Sequence, residues 1–383
     1  MLYEYMRGEI EGIGLYIHIP FCATKCAYCD FNSYSTLGWL MEPYEKAVRC
    51  ELERAFVSWQ FTAETLYLGG GTPTVMPTES LVTIVALVRS HSEHLVEITV
   101  EANPGTVTLD QLRWLRKAGV NRISLGVQSM DDAELALLGR IHNCQMATES
   151  VELIRDAGFE NLNIDLIFGL PGQSVESWIA TLEKAVSLRP EHISAYALTL
   201  EPRTHLYDLI ENGQVARVDE DLSAEMYTVT EEFLGEVGYE HYEISNWALP
   251  GRQCRHNLIY WYNRSYLGIG AGAWSHWQKR RWANIRDPRE YVTRALNGES
   301  LVEQAECASR RQEISETLIL GLRLMDGILK ESFRQRFGVG LSELYGHEIT
   351  YLVEIGLLED TDGRIRLTKR GRLLGNEVFA LFC

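Results

Sequence analysis

Short β-rich runs alternate with longer amphipathic segments through the first two-thirds of the chain, and this alternation limits the fold more than any other feature. The pattern predicts a strand at 15–19 before a helix at 44–59, a strand at 65–68 before a helix at 79–90, and a strand at 97–101 before a helix at 109–118. Three further pairs follow, 122–126 with 146–157, 162–168 with 175–188, and 192–198 with 223–235. Strand-then-helix units with short connections require parallel strands joined by helical crossovers. Six units are too few to close an ordinary barrel of eight, so the expectation is an α/β fold: an open, partial (β/α)6 TIM-like barrel with a wide lateral mouth.

In such folds the chemistry sits where the strands end. A cysteine-rich loop follows the first strand, Gly69, Gly70, Gly71, Thr72 and Pro73 follow the second, and Glu101, Ala102, Asn103 and Pro104 end the third. Gly126, Val127, Gln128 and Ser129 close the fourth, Asp165 lies within the fifth, and Glu201 lies beyond the sixth. Every strand delivers a polar or glycine-rich patch to one rim. Taken singly, Glu101 or Gln128 reads equally well as a strand-end residue satisfying backbone groups, and the glycine run as a turn.

The cysteine loop runs YIHIPFCATKCAYCDF over 16–31, with three residues between Cys22 and Cys26 and two between Cys26 and Cys29. Three thiolates on one loop suit an iron–sulfur cube and leave one of its four irons open. Other uses fit less well. A zinc site needs a fourth ligand, and His18 lies on the wrong side of Pro20. A c-type haem site needs His after the second cysteine of its pair, and Asp30 follows Cys29. A disulfide framework is disfavoured because the opening MLYEYMRGEIEG carries no secretory signal. A cytoplasmic location, where thiols stay reduced, is therefore expected. No apolar run approaches the roughly 20 residues of a membrane span. Thirty-six basic against fifty-three acidic residues give a formal charge of −17, which argues against nucleic acid as a partner.

The cysteine spacing, with Tyr28 just before Cys29, and the GGGTP run resemble the radical S-adenosylmethionine (SAM) superfamily. The resemblance implies a radical SAM core barrel, a [4Fe-4S] cluster held by Cys22, Cys26 and Cys29, and S-adenosyl-L-methionine chelating the open iron. Reductive cleavage of that cofactor to a 5′-deoxyadenosyl radical would need an electron donor such as flavodoxin or ferredoxin. Within the oxygen-independent coproporphyrinogen-oxidase-like branch, Tyr16, Gly70, Gly71, Thr72, Glu101, Gln128, Arg140 and Asp165 align with cofactor-binding positions, and Tyr28 joins them. Carboxylates and an amide suit the ammonium and ribose hydroxyls, Arg140 suits the carboxylate, and glycines 69 to 71 let the backbone approach the ligand.

The second half is dense in aromatics, and His256, Asn257, Tyr260 and Trp261 stand in the order HNLIYW. This is similar to the HNxxYW motif of HemW-type haem chaperones, which implies His256 as a haem ligand. The residues alone admit a core histidine in an aromatic cluster. Cys254 reads as a small buried residue. Lys279, Arg280, Arg281, Arg286 and Arg289 form a local basic concentration, either a solvated face or a receiver of propionates. From 310 the pattern turns helical and ends in a hairpin between 357–358 and 365–367, resembling a mostly helical winged-helix-like module.

These readings divide the chain into a barrel at 1–240, an aromatic-rich extension at 241–304 and a C-terminal domain at 305–383, with a loop-like stretch at 305–311. Coproporphyrinogen dehydrogenases of the branch carry a longer N-terminal extension and a further cysteine where this chain has Phe31. The expectation is a haem chaperone that binds haem and passes it to an acceptor protein of unknown kind, membrane-associated or not. The alternatives are oxidative decarboxylation of coproporphyrinogen III and methyl transfer using two molecules of SAM.

Overall fold

The computed structural model describes residues 12–383. The segment 1–11, read above as lacking a secretory signal, lies outside the described residues. Six strands stand side by side and parallel: β1 (Ile13–Ile19), β2 (Ala63–Gly70), β3 (Glu97–Ala102), β4 (Arg122–Gln128), β5 (Leu162–Phe168) and β6 (His192–Ala197). The first five are buried along nearly their whole length, as strands covered on both faces must be, and β6 is buried up to Ala195. Helices Met41–Trp59, Thr78–His91, Leu109–Ala118, Cys144–Asp156 and Val175–Ser187 make the five crossovers, and Glu220–Glu236 follows the sixth strand.

The sheet continues past the six at both edges and does not close. Beyond β6 lie β8 (Asn246–Ala248) and β7 (Glu240–Glu243), both antiparallel. Beyond β1 lies β9 (Tyr266–Ile269), parallel to it, then antiparallel β10 (Trp274–Trp277), β11 (Arg280–Asn284) and β12 (Val302–Cys307). The loop-like stretch expected at 305–311 is thus partly strand. Its sequence VEQAEC shows no alternation because every residue of this edge strand is exposed.

Two short helices were not legible. Asp132–Leu137 is capped by Asp131, whose side chain accepts from the amides of Ala133 and Glu134, and His205–Glu211 is capped by Thr204. At six and seven residues neither completes a periodic pattern.

The C-terminal module has its own core, which includes Leu318, Phe333, Ile365 and Phe382. Helices Arg310–Gly321, Lys330–Phe337 and Leu341–Glu354 pack with a small sheet in which β15 (Arg364–Leu367) lies between β13 (Ile328–Leu329) and β14 (Leu358–Asp360). Arg372 donates to Glu231, and Arg281 to Glu316, tying module to barrel.

Candidate cofactor site at the strand ends

The cysteine loop is held at both ends before its thiols are placed. The amide of Tyr34 donates to Pro20 O (2.8 Å) and that of Cys22 to Tyr34 O (3.1 Å). Lys25 Nζ crosses the loop to Phe31 O (2.8 Å) and Ser33 O (3.2 Å). All three thiols are free and face a cavity of ≈530 Å³ at the C-terminal ends of the strands.

Each sulfur has a polar neighbour. Arg140 Nη1 donates to Cys26 Sγ (3.2 Å), Thr72 Oγ1 to Cys22 Sγ (3.7 Å), and Ser33 Oγ lies 3.9 Å from Cys29 Sγ. Burial pushes the Cys22 and Cys29 thiols up, and the Thr72 and Ser33 hydroxyls pull in the other direction. Among the described residues no three His, Cys, Asp or Glu side chains converge on a single-ion site. A cubane asks for something else, since each thiolate binds a different iron.

The opposite wall is acidic. Tyr67 OH and the Gly70 amide donate to the two oxygens of Glu101 (2.8 and 3.0 Å), and burial still raises its carboxyl to about 7. Asp165 accepts from Asn163 Nδ2 (2.8 Å) and Ser124 Oγ (3.0 Å) and is raised by the same cause. Gln128 sits at a β-bulge between β4 and β5 with φ +73°, a conformation that re-aims a side chain at some cost in strain. Arg140 lines the cavity with its guanidinium already engaged by Cys26, Gly126 O (2.6 Å) and Asn103 Oδ1.

Cys22, Cys26, Cys29, Tyr28, Gly70, Gly71, Thr72, Glu101, Gln128, Arg140 and Asp165 therefore share one cavity. Tyr16 does not face it. Its hydroxyl meets His18 Nδ1 (3.0 Å), and its ring stands behind Tyr67 at 6.2 Å. Sequence reasoning gave no role to Tyr67, which fixes Glu101, or to Asn103, which donates to Thr72 Oγ1 (2.7 Å) and accepts from Arg140. Asn103 was visible as part of the polar end of the third strand, whereas Tyr67 lies mid-strand with no signal of its own.

The glycines also have a reason within the chain itself. A Cβ on Gly71 would stand 2.6 Å from Phe21 O and 2.9 Å from Ile19 O, and one on Gly69 2.9 Å from the Glu101 carboxylate. The chain's own backbone and Glu101 exclude side chains there. Gly71→Ala is expected to push the cysteine loop outward, costing about 1–3 kcal/mol as overpacking does. Lowered iron and acid-labile sulfide after reconstitution, together with a lower unfolding midpoint, would confirm it.

His256 lies at the other end of the strands. It is buried in helix Arg255–Trp261, with Nδ1 2.7 Å from Thr65 Oγ1 and Nε2 2.8 Å from Tyr260 OH. The ring stacks on Tyr67 at 5.2 Å, and burial lowers its pKa to about 3. Both nitrogens are thus engaged inside the barrel, away from the cysteine cavity. The basic concentration also disperses. Lys279 pairs with Glu313 and Arg281 with Glu316, both on the C-terminal module, whereas Arg289 pairs with neighbouring Asp287.

The radical SAM superfamily model matches residues 16–185, and the HemN C-terminal domain model matches 308–374. The chain is 36% identical over 371 residues to a heme chaperone HemW of Bacillus subtilis, covering 96% of this chain and 98% of that one. It is 38% identical to that of Lactococcus lactis, covering 96% of each chain, and 33% identical to that of Escherichia coli, covering 98% of this chain and 99% of that one. Among solved structures, the radical SAM enzyme coproporphyrinogen III oxidase (HemN) of Escherichia coli superposes with a TM-score of 0.84 at 23% identity, over 99% of this chain and 93% of that one.

Proposed function

Because the chain belongs to the HemW family within the radical SAM superfamily, we propose that it binds haem and delivers it to an acceptor protein. The [4Fe-4S] cluster and SAM of the superfamily fit the residues present. Three free thiols stand on one loop, each with a polar neighbour, and the same cavity carries Glu101, Gln128 and Asp165. When bound, the pair supplies one-electron chemistry at a sulfonium. The chain's own side chains do the holding. Asp165 and Glu101 would accept from hydroxyls and an ammonium, and Arg140 would meet the carboxylate.

The observation that carries the haem reading is similarity over the full length, C-terminal domain included, to proteins named heme chaperones. Coproporphyrinogen decarboxylation is the second reading, favoured by the superposition with HemN, which shows the fold alone. Opposing it, the position of the branch's additional cysteine holds Phe31, 65% exposed. The electron donor, flavodoxin or ferredoxin, and the acceptor belong to this proposal. So does a cytoplasmic location; among the described residues no helix is long and apolar enough to cross a membrane.

The test is an anaerobic absorbance titration of cluster-reconstituted protein with haem, beside an Asp165→Ala variant. Saturable binding of one haem is expected in both. SAM affinity should fall in the variant by at least tenfold, on the order of 1.4 kcal/mol, with iron content unchanged. Absence of saturable haem binding, with carbon dioxide released from coproporphyrinogen III, would replace the chaperone by the decarboxylase.

A further inference from the structure

The barrel interior carries a line of polar side chains that the cofactor cavity does not itself use. Side chains alternate along a strand, so Asn163 and Asp165 of β5 face one side, and the register sets Ser124 of β4 and His192 of β6 beside Asn163. Ser194, two residues beyond His192, stands beside Asp165. Asn163, His192, Ser124 and Ser194 are all buried, where polar groups need partners.

Their hydrogen bonds run in one direction. Asn163 Nδ2 donates to Asp165 Oδ1 (2.8 Å) and to Ser124 Oγ (2.7 Å), and the Ser124 hydroxyl donates onward to Asp165 Oδ2 (3.0 Å). With its nitrogen toward the carboxylate, Asn163 turns Oδ1 to His192 Nδ1 (2.6 Å) and to the Ser194 hydroxyl (3.2 Å). Burial, with Arg122 acting in the same direction, lowers the His192 pKa well below its ordinary value, so the ring is neutral and carries one proton. That proton sits on Nδ1, because a carbonyl oxygen only accepts. Nε2 is then the acceptor, and Tyr242 OH donates to it at 2.8 Å. The same phenol oxygen accepts the amide of Cys254 (3.3 Å), the residue that precedes helix Arg255–Trp261. Every donor thus points from Cys254 through Tyr242, His192 and Asn163 to Asp165.

We propose that Tyr242, His192 and Asn163 form a one-way relay that positions Asp165 for the cofactor, keeping a fixed donor on each carboxylate oxygen. The inference rests on the reading of Asp165 as a residue that holds SAM, and adds the residues that prepare it. Burial raises the Asp165 carboxyl, and hydrogen bonds from Ser194, Asn163 and Ser124 pull it back. An untethered Asn163 amide would be free to turn its oxygen toward Asp165, where two acceptors repel. His192 prevents that turn by donating to the oxygen, and Tyr242 fixes the tautomer that lets it do so.

The experiment compares the full-length parent with Asn163→Leu, His192→Phe and Tyr242→Phe by two readouts. One is the pH titration of Asp165 in cluster-free protein, followed by the labelled carboxyl resonance that Asp165→Ala lacks. The other is SAM affinity after cluster reconstitution. Asp165 should titrate at higher pH in all three variants, most in Asn163→Leu and least in Tyr242→Phe, because a carboxylate that loses a donor holds its proton more tightly. Glu101, Arg122, Tyr28, Tyr67 and Tyr196 also act on Asp165 and are kept in every variant. SAM affinity should fall in the same order, by on the order of tenfold in Asn163→Leu, with iron content unchanged. Tyr242→Phe removes one hydroxyl and guards against loss of the fold. A lowered unfolding midpoint with an unmoved Asp165 titration would make these bonds a packing feature and overturn the relay. If Asp165→Ala binds SAM like the parent, the cofactor reading of Asp165 is overturned instead, whatever the titration shows.

Discussion

Cys26→Ala is expected to abolish assembly of the iron–sulfur cluster. Only three thiols face the strand-end cavity, so removing one leaves two ligands for a cube that already has an open iron. Cys26 is also the sulfur that Arg140 Nη1 approaches at 3.2 Å, so the deletion removes the acceptor of a cation whose other bonds go to Gly126 and Asn103. The remaining cysteines cannot substitute. Cys50 and Cys144 lie on crossover helices, Cys254 is buried at the far end of the barrel, and Cys307 and Cys383 are exposed elsewhere. The reconstituted variant should lack the broad absorbance near roughly 400 nm of iron–sulfur charge transfer and carry little iron. Its fold should persist, since Cys26 is half-buried and lies outside the main hydrophobic core. Cys307→Ala, treated identically, should keep both signals. An intact cluster in Cys26→Ala would remove this loop from the ligand assignment.

The parallel sheet was legible because its strands are apolar runs at regular spacing, and β5 and helix Leu109–Ala118 fall where the pattern put them. The exposed edge strand β12 was not, because no burial imposes alternation on VEQAEC. The site shows the same division. Glu101 and Gln128 stand out at strand ends by being polar where the strand is apolar, and Asp165 does so within β5, while the resemblance supplied their role. Tyr16 was carried there by resemblance alone, and its hydroxyl bonds His18 instead. One partner of His256, Tyr260, lies within the motif, but the other two, Thr65 from β2 and Glu97 from β3, are non-local, so no local pattern could show them. The cavity where the C-terminal module meets the barrel was hidden for the same reason, since its lining runs from Ile13 to Arg336 across two cores.

Glu97→Ala is expected to be the most damaging single change outside the cysteine loop, costing about 1–3 kcal/mol for each buried amide left without its acceptor. Glu97 opens β3 and is buried. Its Oε1 accepts from the His256 amide (3.0 Å) and its Oε2 from the Arg255 amide (3.0 Å), while Cys254 Sγ stands 3.5 Å from Oε1. It therefore does for helix Arg255–Trp261 what no capping side chain does, satisfying amide donors that the helix itself leaves open. The field of the same carboxylate also favours the charged form of Arg122, a buried cation whose Nε has no hydrogen-bond partner. Burial alone would lower the Arg122 pKa, and among the groups that oppose this Glu97 carries a charge at neutral pH, whereas burial pushes the Cys254 thiol and the nearby tyrosines up. The Cys254 thiol beside Glu97 cannot take over the role, since burial pushes it up to about 12 and it is uncharged at neutral pH. Glu97→Gln keeps one acceptor oxygen and loses the charge, so it should fall between parent and alanine variant. Denaturant unfolding, with unchanged slope and a lowered midpoint, measures the cost. Hydrogen exchange at the Arg255 and His256 amides locates it, because those two should quicken first. An unshifted midpoint in Glu97→Ala would mean that water replaces the carboxylate, and that the aromatic motif is held to the barrel by packing alone.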